Sequence, residues 1–329
     1  MAHPLAASAL YLLLAWLLPK AFDLSASLLA DFEANGFCQL GPVVPCELTD
    51  AILNGVLADR VLSSEVFLSQ EGFAKAPEFR GVNPRPGRNV LEQIPDLVEE
   101  LEALAPITDF LRSLLGNTYH ILDRKIVCGV PDHWLDQWLR DRIAGKPVNN
   151  LGAYVKPDYR DMTFFYGIDF HQDLIDWPGK EPDFITLYVY LADVSHAHAP
   201  ILLLPNSYSL GATKFPHDLI QVSADERVWR YSSEYGASIE TAEKEIIGGA
   251  GSVTAWHACT LHGTAPVSGL KARLSLRYLI RSASTNTKPS VLQRINTGIQ
   301  APLTLATTRE DQNQMGEVVV ERNHIWSSR

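Results

Sequence analysis

The chain is short of the residues that staple, tag or cationise a protein. Its four cysteines, Cys38, Cys46, Cys128 and Cys259, show no CxxC or CxxxC spacing, so neither a zinc knuckle nor a disulfide framework is suggested and they read as buried thiols. No Asn-x-Ser/Thr sequon occurs, which removes one common mark of secretion. Lys and Arg number 28 against 38 Asp and Glu, a net charge of -10 with a pI near 5.5. Proteins that track nucleic-acid phosphates concentrate cations to release counterions, so this balance argues against that class and favours a small-molecule partner. Internal repeats and low-complexity tracts are absent too. The apolar run PLAASALYLLLAWLLPK, ended by Pro19 and Lys20, falls short of the roughly 18 to 20 residues that a membrane-spanning helix needs. It has the length of a signal-peptide core, yet no Lys or Arg precedes it and no clear small-x-small cleavage site follows. Residues 1–22 are therefore read as an apolar helix packed on the domain. The expected address is cytoplasmic, with targeting or membrane attachment through residues 1–20 as the alternative.

What is present is enough apolar residue, 46% of 329, for a large core. Leu24, Leu28, Leu29 and Phe32 recur at helical spacing, with Gly36 as a stop, and lead into a short strand around Phe37 to Leu40. DAILNGVLADRVLS and VLEQIPDLVEELEALAPITDFLRSLLG read as further helices, separated by the irregular Pro/Gly/Arg loop APEFRGVNPRPGRN. Trp134 and Trp138, at i and i+4, predict the buried stripe of a helix, with a lid over a substrate as the alternative. From about Leu151 the character changes. MTFFYGI, FITLYVYLADV, PILLLP, GSVTAWHA and ARLSLRYLIR are β-branched or aromatic runs bounded by Gly, Pro, Asn and Asp. The expected organisation is a single domain over 23–283, with a helical lead-in at 23–150 and a β-barrel core at 151–283, followed by a tail at 284–329.

Chemistry concentrates after MTFFYGI, where His171 and Asp173 stand two residues apart. Strand residues i and i+2 share a face, so an imidazole and a carboxylate point the same way. A third ligand has to come from another strand, and WHACTLHGTAPVSGLKARLSLRY offers His257 and His262. Further along it Arg273 and Ser275 are again two apart, so a guanidinium fork and a hydroxyl can grip one carboxylate together. Two imidazoles and one carboxylate on one side of a metal leave three open positions, the facial set that suits Fe(II) in oxygen-activating enzymes.

HQDL followed by PD, then YVYLADVSHAHAPILLLPNSYSLG, then LHGTAPVSGLKARLSLRY resembles the phytanoyl-CoA dioxygenase family of Fe(II)/2-oxoglutarate oxygenases, over roughly Leu24 to Arg281. The resemblance implies a mainly β fold with flanking helices around a double-stranded β-helix, the cupin-like jelly roll. It implies that His171, Asp173 and His262 are catalytic iron ligands and that Arg273, assisted by Ser275, pairs with the distal carboxylate of 2-oxoglutarate. Thr264 and Tyr188 fall at positions that flank that cosubstrate. The implied activity is hydroxylation of an unactivated C–H in a small organic, lipid-like or secondary-metabolite substrate, with O2 consumed, succinate and CO2 as coproducts and ascorbate supportive. Asp173 fills the place that is small in related halogenases, which favours hydroxylation over halogenation. Desaturation or cyclisation on the same centre is an alternative, as is a jelly roll that binds metal or ligand without turnover. Imidazoles must be unprotonated to bind metal, so activity is expected to fall below about pH 6. The family's usual NGPL…PGSH stands here as HAPI…PNSY, a departure in a loop that leaves the ligand set intact.

Three rival readings compete. His257 lies five residues before His262 and rivals it for the distal position, unless it is a satisfied core histidine. His196 and His198 form an HxH pair of the kind seen in other jelly-roll metalloproteins, but the following APILLLPNS lacks the glutamate. Arg80, Arg85 and Arg88 are either a solvated loop or a cover for an anionic substrate. His3, His120, His133, His217 and His324 have no ligand-like companions in the sequence.

Overall fold

The computed structural model describes residues 21–58, 60–75, 89–283, 287–312 and 319–327, with side chains from residue 26. The apolar run at 1–20 and the loop carrying Arg80, Arg85 and Arg88 lie outside the described residues. No described helix is long and apolar enough to cross a membrane.

The chain opens with helix α1 (Ala21–Asn35), which stops at Gly36 with φ +78°, and continues into strand β1 (Phe37–Pro42). Helices α2 (Cys46–Leu57), α3 (Gln70–Lys75), α4 (Pro95–Glu102) and α5 (Ala105–Leu115) follow. The long helical pattern from Val90 is broken twice, at Ile94, directly before Pro95, and at Leu104, two residues before Pro106. Proline lacks an N–H to continue a preceding helix and is accommodated only in the first turn of a new one, so one stripe becomes a short turn and two helices. In α5 the apolar residues Ile107, Phe110, Leu111, Leu114 and Leu115 are all buried, the i, i+3, i+4, i+7, i+8 stripe of a helix that packs one face. The segment around Trp134 and Trp138 is also divided: Trp134 sits in a turn at 132–134 and Trp138 in α6 (Gln137–Ile143), where it packs against Phe73.

The segment expected to be a helical lead-in also supplies three strands: β1, β2 (Tyr119–Gly129) and β3 (Val148–Asn150). Then come β4 (Thr163–His171), β5 (Phe184–Tyr190), β6 (Ile201–Leu203), β7 (Asp218–Ser223), β8 (Val228–Ser232), β9 (Ser238–Ala242), β10 (Lys244–Ile246), β11 (Ser252–His257), β12 (His262–Thr264) and β13 (Arg273–Ser282). Among the described residues, ten strands form one sheet in the order β1-β11-β5-β13-β2-β4-β12-β6-β10, with β3 beside β4. Within this sheet, as described, the β2–β4 pairing is parallel and the other strand pairings are antiparallel. The sheet curls into a half-barrel, so the mainly β jelly-roll expectation holds. A separate antiparallel sheet, β7-β8-β9, stands outside this one.

Residues of β5 are buried along its whole length, which an alternating strand achieves only when both faces are covered. Leu187 and Val189 belong to a cluster with Phe32, Ile52, Leu101 and Leu114 of the helices, which cap the sheet from outside. Tyr188 and Tyr190 alternate with them and face a smaller cluster with Leu203 and Trp256 inside the curl. Two described helices lie in the tail: α7 (Val291–Gly298) starts with a Ser290/Gln293 capping box, and α8 (His324–Ser327) packs on β4. All four cysteines are free, and Cys46, at the start of α2, is exposed rather than buried.

Candidate active site

The inner face of the curl encloses a cavity of about 890 Å3, within the range of small-molecule sites. His171, the last residue of β4, and His262, the first of β12, are direct cross-strand partners with ring centroids 4.1 Å apart. His171 Nδ1 lies 2.9 Å from the Asp169 carbonyl, and His262 Nδ1 lies 3.0 Å from the Thr260 carbonyl. A carbonyl can only accept, so in both rings Nδ1 carries the hydrogen and, in the neutral form, Nε2 keeps its lone pair. Desolvation, reinforced by proximity to His262, pulls His171 down to about 3, and desolvation also lowers His262. His171 therefore stays neutral well below the pH 6 threshold expected from free histidine, and burial moves His262 in the same direction.

Asp173 does not continue the strand. It opens a short turn at 173–176, and its N–H donates to the Ala258 carbonyl, which swings the carboxylate toward the two rings. Its Oδ2 stands 3.7 Å from His262 Nε2. Nitrogen and oxygen ligands about 2.1 Å from one ion at right angles are roughly 3 Å apart, so the carboxylate stands close to the spacing that a shared ion requires. Among the described residues no trio of His, Cys, Asp or Glu is already closed to metal spacing, and the Asp173 carboxylate is held by hydrogen bonds. Arg277 Nη2 donates to Oδ1 at 2.7 Å, while Thr186 Oγ1 and Trp256 Nε1 both donate to Oδ2. Of about four lone-pair positions on a carboxylate, three are engaged and one on Oδ1 is left. Burial would raise this carboxyl, but His262, Arg277, His171 and the Thr186 hydroxyl together hold it well below the usual carboxylate range. Two neutral imidazole nitrogens and an ionised carboxylate form a donor set that fits a divalent first-row ion.

Beside this set lies a second group. Arg273 and Ser275 are buried side by side on one face of β13, and both Arg273 Nε and Ser275 Oγ lack a hydrogen-bond partner among the described residues. An unmet buried donor costs about 1 to 3 kcal/mol, so the pair calls for an acceptor, which a carboxylate supplies to both. Arg273 Nη1 reaches the Ala199 carbonyl and, at 3.3 Å, Thr264 Oγ1; its Nη2 is 3.5 Å from the Tyr188 hydroxyl. Gly129 lies opposite Arg273 on β2, and a Cβ there would stand in ordinary contact with Nε at 3.6 Å. These features fit a dicarboxylate cosubstrate.

Of the seven residues singled out from the sequence, His171, Asp173, Tyr188, His262, Thr264 and Arg273 line one cavity and Ser275 lies fully buried beside Arg273 on β13, while the rival histidines lie apart from it. His257 is fully buried with both nitrogens used, Nδ1 accepting from Cys259 N and Nε2 donating to Asn296 Oδ1. It is a satisfied core histidine. His196 sits exposed against Glu245, and His198 is engaged by Ser195. The sequence reading missed Thr186, Trp256 and Arg277. Arg277 had a visible signal, since it follows Ser275 by two and so shares the face of Arg273.

A family model described as phytanoyl-CoA dioxygenase matches residues 32–275, more than half of the chain. The chain belongs to that family. It is accordingly an oxidoreductase of the class that uses Fe(II) and 2-oxoglutarate. Solved structures with a similar course of chain include the epimerase SnoN in complex with Fe3+, alpha ketoglutarate and nogalamycin RO, at 14% identity, TM-score 0.49, covering 79% of this chain and 84% of that one. The carbocyclase SnoK from nogalamycin biosynthesis aligns at 13% identity and TM-score 0.46, covering 82% and 86%. EctD from S. alaskensis with bound Fe aligns at 14% identity and TM-score 0.45, covering 86% and 87%. No curated protein matches the sequence.

Proposed function

We propose that this chain hydroxylates an unactivated C–H bond of a small organic acid with an apolar body, with His171, Asp173 and His262 holding Fe(II) and Arg273 with Ser275 holding the distal carboxylate of 2-oxoglutarate. The observation that carries the reading is the convergence of two Nε2 lone pairs and one carboxylate beside a guanidinium Nε and a hydroxyl that have no partner among the described residues. When bound, the iron, cosubstrate and O2 supply the oxidant, and 2-oxoglutarate leaves as succinate and CO2. The protein contributes positioning. Arg277, Thr186 and Trp256 restrain the Asp173 carboxylate, the two carbonyls fix the ring planes, and Thr264 and Tyr188 flank the cosubstrate.

The substrate class follows from the charge of the cavity. The whole chain is acidic, yet Lys125, Arg142, Lys146, Arg273, Arg277 and Arg309 line the cavity against only Asp173 and Asp176. A dication and a dicarboxylate together would leave this excess unchanged, so a cationic enclosure remains for the substrate. Phe73, Tyr154, Phe165, Ile168 and Ile175 supply the apolar walls. The test is a metabolite extract divided by anion exchange at neutral pH and incubated with the protein, Fe(II), 2-oxoglutarate and ascorbate. Succinate release with a product heavier by one oxygen atom is expected from the retained, anionic fraction. Activity confined to the unretained fraction would refute the acid, a product lighter by two hydrogens would replace hydroxylation by desaturation, and metal binding without turnover in either fraction would leave a binding protein.

A further inference from the structure

We infer that the segment from Asn323 to Trp326, at the far end of the chain, is a positioning element for the metal site, clamped behind both histidine-bearing strands by Asp169. This rests on the reading of His171 and His262 as metal ligands and adds residues outside the 32–275 family match.

Asp169 is almost completely buried on β4, two residues before His171, with its side chain on the side that faces the tail. Its backbone carbonyl accepts from His171 Nδ1 and so sets the plane of that ring. Its carboxylate accepts four N–H groups: Phe170 N at 2.9 Å and Ile325 N at 3.2 Å on Oδ1, His324 N at 2.9 Å and His324 Nδ1 at 2.8 Å on Oδ2. Three of the four come from the tail. The same carboxylate thus ties the peptide next to the orienting carbonyl to a segment some 155 residues away. The tail also reaches the other strand. A Cβ on Gly263, the neighbour of His262, would come within 2.5 Å of Ile325 Cδ1, so the tail side chain fills the space that the glycine leaves. Trp326 packs edge-on against Tyr166 of β4 and stands where a Cβ on Gly167 would meet its ring at 2.8 Å. Asn323 fixes the segment itself, accepting from Trp326 N and donating to the Lys146 carbonyl. Both strands that carry imidazoles are therefore backed by one short stretch, and both contacts pass through glycines that admit it closely. Asp169 and Ile325 touch neither cavity nor cosubstrate and act only through His171 and His262.

The test measures Mn(II) binding, by the loss of the free-ion EPR signal, in the full chain, in Asp169→Asn, in Ile325→Ala and in a chain ending at Arg322. Loss of an outer partner of a metal ligand typically weakens affinity about 10- to 100-fold, and that weakening is expected in Asp169→Asn and in the shortened chain, with a smaller one in Ile325→Ala. Circular dichroism identifies which variants remain folded, and Ile325→Ala, which leaves every Asp169 hydrogen bond in place, keeps the comparison decisive should Asp169→Asn not fold. Wild-type Mn(II) affinity in the folded variants overturns the inference. His171→Ala separates the two levels: if it binds Mn(II) as tightly as the parent, the ligand assignment itself is wrong, whereas lost binding there with unchanged binding in the clamp variants refutes the clamp alone.

Discussion

At the scale of single residues, the site is organised by what each polar atom can and cannot do. Two carbonyls force the histidine hydrogens onto Nδ1, and one lone pair of Asp173 survives three donors. Arg273 is the residue whose chemistry is least replaceable, because a planar fork can meet a carboxylate at two points and a lysine point charge cannot. Arg273→Lys is expected to raise the KM for 2-oxoglutarate at least tenfold, the equivalent of about 1.5 to 3 kcal/mol for a lost charged hydrogen bond, with a smaller change in kcat. Succinate formation measured against 2-oxoglutarate concentration checks this. The identities of these residues were legible in the sequence because period-two spacing put His171 with Asp173 and Arg273 with Ser275. The hydrogen bonds of Asp173 to Thr186 and Trp256 were not, since their donors lie 13 and 83 residues away on strands whose register only the folded sheet fixes.

At the scale of elements, the helices and the inner strands announced themselves by their apolar periods, and the failures have specific causes. Pro95 and Pro106 divided one continuous stripe. Strand β2 escaped notice because Asp123, Arg124 and Lys125 interrupt its apolar run, although it lies between β13 and β4. Its charges are tolerated because Arg124 pairs with Glu102 on the helical side while Lys125 opens onto the cavity. The loop departure from the family pattern also has a structural counterpart: Ala199 and Asn206, where the usual pattern has glycine, both adopt positive φ, at +49° and +62°. Alanine tolerates this poorly, at roughly 1 to 2 kcal/mol, whereas asparagine visits it more readily. The Ala199 carbonyl is the one that accepts from Arg273, so the strained residue adjoins the position proposed for the cosubstrate. For packing, α5 gives a clear expectation. Leu114 is completely buried between helices and sheet, and Leu114→Ala should cost about 2 to 5 kcal/mol in denaturant unfolding.

For the whole molecule, buried histidines set the acid limit of stability. Burial pulls His257 down to about 4 and carries His217 well below its ordinary value, so both stay neutral in the folded core. The unfolded chain takes up those protons near pH 6.5, and between that value and about 4 it holds more protons than the folded state. Their contribution is therefore complete above about pH 6.5 and is lost as the pH falls toward 4, at roughly 1.4 kcal/mol per pH unit for each group. Urea midpoints recorded from pH 7 to 4 should decline steadily, and a flat profile would contradict the buried neutral state. The cavity is a second whole-molecule property. Its cations come from β2, from α6 and the loop after it, from β13 and from the tail, and no one of these segments is basic enough alone to reveal a cationic enclosure in an acidic chain.

By itself, the sequence determined the chemistry: which side chains occur, which pairs share a strand face, and which apolar stripes need a partner, all of which depend on spacings of a few residues. Only the tertiary structure decided how distant segments meet. His262 opposite His171, Arg277 on Asp173, the helices over the outer face and Asp169 under the final residues are consequences of strand order and register, and those arise from the collective packing of the whole sheet.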